Sequence, residues 1–392
     1  MELDLTEFQN RLRRPSSVKL QELQRNDRLK HLIFAAQLTP PLLEKLRLMA
    51  DRIRHVSRTR EGNLRLRSLL AHRRAMLYFT QPSTRTFLSF MAACQILGLT
   101  CNEVRDPKTS SEAKRESAWD SIRMFSSYFD VIIMRTPHAN FSECCAYLMN
   151  DLESKEMRAV PIVNAGSGAD EHPTQALLDL YTIQRTFTAD YSRESKQSRF
   201  IELQSRNPGL TTGPGHKTYL FCGDLGRGRT VRSLAIVLSQ YPGVKMIFVS
   251  PDHPTLRMDE PLRRLLTERQ VEVHEFHSLD AQLSGKPILG LADCIYMTRI
   301  QREHNSEQDE REFGQIDLTQ FQLTRHRASQ LKEYAPIMHP FPRDSVTQEI
   351  PTEIDSDPRA MYFRQARNGM WIRAALLVHL FDASEELLAM AT

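Results

Sequence analysis

The chain has 392 residues, 41% of them hydrophobic, and 52 basic against 48 acidic side chains give it a formal charge of +4. That length is enough for two domains with separate cores. The near balance of charge argues against nucleic acid or a membrane surface as the main partner. No run approaches the roughly 18 apolar residues of a membrane span, and the acidic start Met1-Glu-Leu-Asp4 does not resemble a secretory signal, so a cytoplasmic protein is expected. Cys94, Cys101, Cys144, Cys145, Cys222 and Cys294 form no C-x-x-C pair, which points to core thiols rather than a disulfide framework or a zinc site.

Residues 1 to about 74 carry helical periodicity, as in Leu42, Leu43, Leu46 and Met49, and are expected to form amphipathic helices. The basic stretches Arg52–Arg60 and Arg65–Arg74 lack interleaved aromatics and are read as solvated helix faces rather than a nucleic-acid surface. Ala75 to Phe79 has the length of a buried strand, and Phe87, Phe90, Met91, Cys94 and Leu97 recur at helical spacing up to Gly98, a natural stop. Between them lies Pro82-Ser83-Thr84-Arg85-Thr86. A strand feeding a helix through hydroxyl residues aims unpaired backbone N–H groups and a dipole end at one point. With Arg85 adding a charge, that point suits phosphate; the competing reading makes Ser83 an ordinary helix cap.

Lys108 to Glu116 is a polar loop leading into a helix from about Ser117 to Tyr128, followed by the strand Val131–Arg135. Arg135 thereby falls at the C-terminal edge of a parallel sheet, where ligands bind in open α/β folds. Val160–Asn164 reads as another strand, and Pro173 suits the first turn of the next helix, leaving His172 and Gln175 at a second strand-to-helix junction. A lone histidine there is more often satisfied structurally than functional.

Residues 185–217, rich in Ser, Arg, Gly and Pro, are read as a surface excursion at a domain boundary. Strand-helix alternation then resumes: strands at 218–222, 245–250, 271–276 and 294–299, helices at 229–239 and 260–268, which implies a second α/β sheet. A charged loop at 303–312, a helix at 317–331, a strand at 336–341 and a long helix at about 359–381 complete the pattern. The turn Gly223-Asp-Leu-Gly-Arg-Gly228 opens a helix after a strand, but its G-x-x-G-x-G order fails the dinucleotide fingerprint. Arg229 and Arg299, followed by Gln301, join Arg85 and Arg135 at strand-helix junctions, a costly set of guanidinium groups unless anions such as phosphate and carboxylates bind them.

Together, Ser83-Thr-Arg-Thr86, His172-Pro-Thr-Gln175, Gly223-Asp-Leu with Gly228-Arg-Thr230, Met297-Thr-Arg-Ile-Gln301 and His339-Pro-Phe-Pro-Arg343 occur in the order seen in aspartate carbamoyltransferase catalytic chains. The resemblance spans roughly residues 40–381 apart from 185–217. Ornithine carbamoyltransferases share the Ser-Thr-Arg-Thr loop but carry His-Cys-Leu-Pro in place of His339-Pro-Phe-Pro342. The resemblance implies an α/β fold of two domains, each a mostly parallel sheet flanked by helices, with the C-terminal helix packing back on the first. Its expected divisions are an N-terminal extension at 1–39, a carbamoyl phosphate domain at 40–180 joined by 359–392, and an aspartate domain at 181–358 containing the insertion 185–217.

The resemblance further implies transfer of a carbamoyl group from carbamoyl phosphate to L-aspartate in pyrimidine synthesis, without cofactor or metal. Transfer to another amino acid such as ornithine, or a non-catalytic homologue that only binds carbamoyl phosphate or supports assembly, are the alternatives. By position, Ser83, Thr84, Arg85 and Thr86 grip the phosphate, Thr86, Arg135 and His172 polarise the carbamoyl oxygen, and Gln175 with the carbonyl of Pro340 holds the carbamoyl nitrogen beside Phe341. Arg229, Arg299 and Gln301 bind the aspartate carboxylates, and Ser110 and Lys114 reach in from a neighbouring subunit, Lys114 also touching aspartate. The implied partners are small-molecule substrates and further copies of the chain in a homotrimer or higher assembly with shared active sites, with separate regulatory or pathway subunits possible. Gln81 and His304 stand where the family has Glu and Arg, Phe87 and Met91 where it has an Arg and a Glu, Arg115 where it has Gly, and Phe341 where it has Leu.

Overall fold

The computed structural model describes residues 5–25, 28–106, 117–168, 171–189, 199–301 and 316–390. The chain forms two compact units, Met1–Leu178 with Arg367–Thr392, and Asp179–Ala366.

In the first unit, helices α1 (Ser16–Glu22), α2 (Pro40–Val56) and α3 (Arg60–Leu69) precede the sheet. Proline opens α2, where its missing N–H costs nothing, and Leu43, Leu46, Met49, Ala50 and Ile53 form the buried stripe of an amphipathic helix. Strand β1 (Arg74–Phe79) leads to α4 (Thr84–Leu97), β2 (Thr100–Val104), α5 (Ala118–Tyr128), β3 (Val131–Thr136), α6 (Phe141–Ser154) and β4 (Ile162–Ser167). All four strands run parallel in the order β2-β1-β3-β4. Covered on both faces, the inner strands are almost continuously apolar: every residue from Ala75 to Phe79 and from Val131 to Met134 is buried.

The described part of the segment before residue 40 packs against this unit. Phe8 packs with Cys144 and Tyr147, its ring 5.1 Å from that of Trp119. Arg11 binds Asp151 through two bonds of 2.8 and 2.6 Å, and Lys19 pairs at 2.8 Å with Glu143, which is buried on α6.

The second unit takes up the chain within α7 (Pro173–Thr186) and continues through α8 (Arg199–Arg206), β5 (Thr218–Cys222), α9 (Arg229–Leu238), β6 (Lys245–Val249), α10 (Glu260–Glu268), β7 (Glu272–Phe276), β8 (Cys294–Met297) and β9 (Ile337–Met338). Its five-stranded sheet is parallel in the order β9-β8-β5-β6-β7, and Gln282–Leu283 with Lys286–Pro287 form a separate antiparallel pair. The described part of the expected excursion is built into this unit, with Phe187, Phe200, Leu203 and Leu210 buried. Lys217, also buried, donates to the carbonyl of Thr211 at 2.7 Å and lies 4.6 Å from the ring centre of Phe187; burial pulls its pKa down to about 8.

Two expected elements differ. The helix expected at 317–331 is a 3₁₀ turn, Leu318–Phe321, and a separate short helix, Arg325–Ser329, begun by Thr324, whose hydroxyl accepts from the amide of Arg327. The last strand is only Ile337–Met338. The final long helix, α11 (Tyr362–Leu380), is followed by α12 (Ser384–Ala389), which lies against α2 and α3 in the first unit.

Each sheet has one point where successive strands are added in opposite directions, and the crevice beyond the strand ends there is where open α/β sheets bind ligands. In the first unit it lies between β1 and β3, in the second between β5 and β8.

Candidate active site

At the first switch point the chain leaves β1 and starts α4 at Ser83, whose extended backbone (φ −164°, ψ 98°) makes it the cap residue. Its hydroxyl makes no capping hydrogen bond to the helix. The ordinary-cap reading therefore fails for the side chain: Ser83 turns the backbone into the helix, and its oxygen is not used in doing so. Thr84 and Arg85 are exposed and Thr86 is buried, so the helix head presents hydroxyls, a guanidinium and first-turn N–H groups together, the donor set an oxyanion requires.

Arg135 closes the other side of this point. The pairing of β3 with β4 shifts between Met134 and Thr136, which places Arg135 in an irregularity of the kind that re-aims a side chain at a sheet edge. Its Nη1 donates to the carbonyl of Ala165 at 3.3 Å, and its own carbonyl accepts from the amide of Gln81 at 3.2 Å. After β4, His172 and Gln175 are buried at the start of α7, and the carbonyl of His172 accepts from the amide of Gln175 at 2.9 Å. The His172 Nδ1 lies 3.4 Å from the Thr174 hydroxyl. Phe87 meets Phe79 edge-on at 5.4 Å and Arg105 stacks over it at 4.7 Å, so the residue standing in for an arginine is held by an aromatic and a cation.

The second switch point is organised by Asp224, which is fully buried. Gly223 before it adopts φ +122°, and a Cβ there would lie 2.1 Å from the carbonyl oxygen of Thr298, so only glycine lets β5 turn this close to the chain leaving β8. The Asp224 carboxylate accepts from the Arg227 amide (3.0 Å), from Arg227 Nε (3.1 Å) and from the Gln301 amide (3.3 Å). Burial pushes its pKa up, while the charge of Arg227 and the two amides pull the other way. This one carboxylate fixes the turn that starts α9 at Arg229 and the segment holding Arg299 and Gln301. Arg229, Arg299 and Gln301 thus lie on segments that meet at this turn, residue types suited to carboxylates.

The strand-end loop after β9 is also fixed from below. His339 is buried; its Nδ1 accepts from the Phe341 amide at 2.8 Å, which places the proton on Nε2, 2.8 Å from Glu349 Oε1. The His339 amide donates to Gln365 Oε1 (2.9 Å), Gln365 Nε2 to Asp179 (2.6 Å), and the Tyr296 hydroxyl to the same carboxylate (2.7 Å). Arg343 binds Asp355 at 2.7 Å and lies 5.9, 5.1 and 5.6 Å from the rings of Phe341, Tyr362 and Phe363. Pro340 and Phe341 are therefore held at a defined place above the strand ends.

Seven of the expected site residues, Ser83, Thr84, Arg85, Thr86, Arg135, His172 and Gln175, share the strand-end edge of the first unit. Arg229, Arg299, Gln301, Pro340 and Phe341 share that of the second. Ser110, Lys114, Arg115 and His304 lie outside the described residues. Asp224 and Arg227 carry organising roles the sequence reading did not assign them; an acid and a base inside a glycine turn after an apolar strand are the signal. Among the described residues, no group of three His, Cys, Asp or Glu side chains is placed to hold a metal ion.

The family profile "Aspartate/ornithine carbamoyltransferase, carbamoyl-P binding domain" matches residues 30–185, and "Aspartate/ornithine carbamoyltransferase, Asp/Orn binding domain" matches residues 216–380. The chain is 37% identical over 337 residues to the aspartate carbamoyltransferase catalytic subunit of Chromobacterium violaceum, covering 85% of this chain and 93% of that protein. It is 40% identical over 301 residues to the multifunctional protein CAD of Squalus acanthias, covering 76% of this chain and 11% of that much longer protein. Among solved structures, the catalytic subunit of M. jannaschii aspartate transcarbamoylase superimposes with a TM-score of 0.71 at 32% identity, covering 91% of this chain and 99% of that one.

Proposed function

Because the chain belongs to the aspartate/ornithine carbamoyltransferase family, we propose that it transfers the carbamoyl group of carbamoyl phosphate to L-aspartate, forming N-carbamoyl-L-aspartate and phosphate in pyrimidine biosynthesis. The observation that carries this reading is the head of α4: a serine whose hydroxyl is not used for capping, followed by Thr84, Arg85 and Thr86, beside an Arg135 re-aimed by a strand irregularity.

In this reading Ser83, Thr84, Arg85 and Thr86 hold the phosphate, and Arg85 balances its charge. The aspartate amine attacks the carbamoyl carbon, the C=O electrons move onto oxygen, and collapse of that intermediate expels phosphate, which carries off the amine proton. Thr86, Arg135 and His172 donate to the oxygen as its charge grows, and Gln175 with the Pro340 carbonyl orients the carbamoyl nitrogen beside Phe341. A preset donor of this kind contributes about 2.7–4 kcal/mol, and holding two reactants in line removes roughly 7–11 kcal/mol, so positioning supplies most of the acceleration. Arg229, Arg299 and Gln301, with Lys114, bind the two carboxylates of aspartate. Ornithine, with a cationic side chain, would place like charge against these arginines.

The assembly we infer is a homotrimer in which Ser110 and Lys114 serve a neighbouring protomer's site; the five-motif resemblance supports it. The described residues contain no helix long and apolar enough to cross a membrane. A ureido-specific colorimetric assay tests the function. Product is expected with carbamoyl phosphate plus aspartate and is expected to fall at least 100-fold in Arg135→Ala; a chain that forms no ureido product with aspartate contradicts the proposal.

A further inference from the structure

Arg373 is only 2% exposed although it carries a charge. It lies on α11, in the stretch of that helix belonging to the first unit. Its guanidinium sits 4.7 Å from the ring centre of Phe90, and Nη1 donates to the hydroxyl of Ser89, both on α4. Ser89 in turn donates to the carbonyl of Thr86 at 3.3 Å. A helical serine bonding back to a carbonyl three residues earlier is ordinary by itself. Here the carbonyl belongs to the first turn of the helix whose head carries Ser83 to Thr86, and the serine is gripped by a buried cation. Gly369, one turn before Arg373, makes room: a Cβ there would lie 3.1 Å from Arg373 Nη1, 3.4 Å from Leu178 and 3.6 Å from the Ser89 hydroxyl.

We infer that Arg373 is a positioning residue for the phosphate grip, acting through Ser89 to fix the first turn of α4. The inference rests on the carbamoyl phosphate reading of that grip. A buried guanidinium is costly wherever it stands, and one bound to Ser89, a residue about 4.5 Å of helical rise beyond Thr86, also adds positive potential near the head of that helix. The C-terminal part of the chain would thus set the anion affinity of a loop formed near residue 84.

The test uses Ser89→Ala, Arg373→Met and Arg373→Lys in the full chain. Three quantities are measured: the Kd of inorganic phosphate by titration calorimetry, the KM of each substrate, and the melting temperature. Arg373→Met is expected to raise the phosphate Kd and the carbamoyl phosphate KM roughly tenfold, with the aspartate KM within about twofold. Arg373→Lys, which keeps the charge, is expected to recover most of that loss. Ser89→Ala leaves the buried cation in place but removes its acceptor, and is expected to raise the phosphate Kd roughly threefold and to lower the melting temperature by a few degrees in a chain that still folds, so the test does not depend on the folding of the methionine variant. Folded Ser89→Ala and Arg373→Met that bind phosphate like the parent, with only the melting temperature lowered, would overturn the inference. A parent chain that binds neither phosphate nor carbamoyl phosphate would instead overturn the reading on which it rests.

Discussion

The amide of Gln81 donates to the carbonyl oxygen of Arg135 at 3.2 Å, and through this bond the loop leaving β1 and the end of β3 hold each other at the switch point of the first sheet. The irregularity at Arg135 is thereby braced from the loop that leads into α4. If Arg135 donates to the developing carbamoyl oxyanion, Arg135→Lys should lower kcat by about 10²–10³, the cost of losing one preset oxyanion donor. The carbamoyl phosphate KM should change much less. Steady-state kinetics at saturating aspartate check this; a kcat within threefold of the parent would remove Arg135 from the oxyanion role.

Ser83 offers a test with an unusual stability signature. A serine that caps a helix with its side chain typically costs about 1 kcal/mol when changed to alanine. Because the Ser83 hydroxyl makes no capping bond, Ser83→Ala should shift the folding free energy by less than about 0.5 kcal/mol. It should raise the KM for carbamoyl phosphate roughly tenfold, as loss of a hydrogen bond to a charged group would. Urea unfolding and initial-rate kinetics on the same variant separate the two effects; a stability loss with an unchanged KM would return Ser83 to the role of an ordinary cap.

Asp224 is fully buried and accepts from Arg227 and from the amide of Gln301. Asp224→Ala leaves the Arg227 guanidinium partly buried without its carboxylate, a change expected to cost about 3 kcal/mol. It also releases the segment carrying Arg299 and Gln301. The expected outcome is a lowered denaturation midpoint and an aspartate KM raised more than that of carbamoyl phosphate. Equal effects on both constants would show that Asp224 supports the second unit as a whole rather than its carboxylate-binding edge.

The legible parts of this molecule were those whose packing leaves a one-dimensional trace. Ala75–Phe79 and Val131–Met134 are covered on both faces and read as apolar runs, so the parallel sheets and the junctions at Ser83, Arg135 and His172 followed. Strand β2 was not read because Thr100-Cys-Asn-Glu-Val104 is an edge strand with no fully buried residue; edge pairing leaves no apolar run. The helix expected at 317–331 failed at Thr324, whose hydroxyl starts a new helix inside the window. The irregularity at Arg135 depends on register with β4 and has no local signature. Asp224 was visible as a residue but not as an organiser, since its partner Gln301 reaches it only through the β5-β8 pairing.

Two buried histidines make stability depend on pH. His31 accepts from the Ile162 amide at 2.9 Å through Nδ1 and lies 3.2 Å from Asn150 Oδ1 through Nε2, the pattern of a neutral ring. Burial first, then the charge of Lys30, lowers its pKa from 6.5 to about 3. Burial first, then Lys45 and Arg28, lowers that of His379 to about 4. Both pKa values are depressed in the folded state, so on acidification the unfolded chain takes up these protons first. Stability should therefore fall as pH drops from 6.5 through about 4 and 3, by up to about 1.4 kcal/mol per pH unit for each group. Above pH 6.5 neither group should add a slope. Denaturant unfolding between pH 7 and 4 should show a shallower loss in His31→Asn than in the parent; identical slopes would mean that His31 is protonated in the folded protein.

The most direct measurement is competition in one tube. With ¹³C-labelled carbamoyl phosphate and equal aspartate and ornithine, NMR follows which amine acquires the labelled ureido carbon. The carboxylate site proposed at Arg229, Arg299 and Gln301 predicts that N-carbamoyl-L-aspartate is the only enzymatic product, and that Arg229→Met and Arg299→Met lower its rate of formation. Label appearing on ornithine, or an enzyme-free rate of transfer to aspartate, would contradict the account.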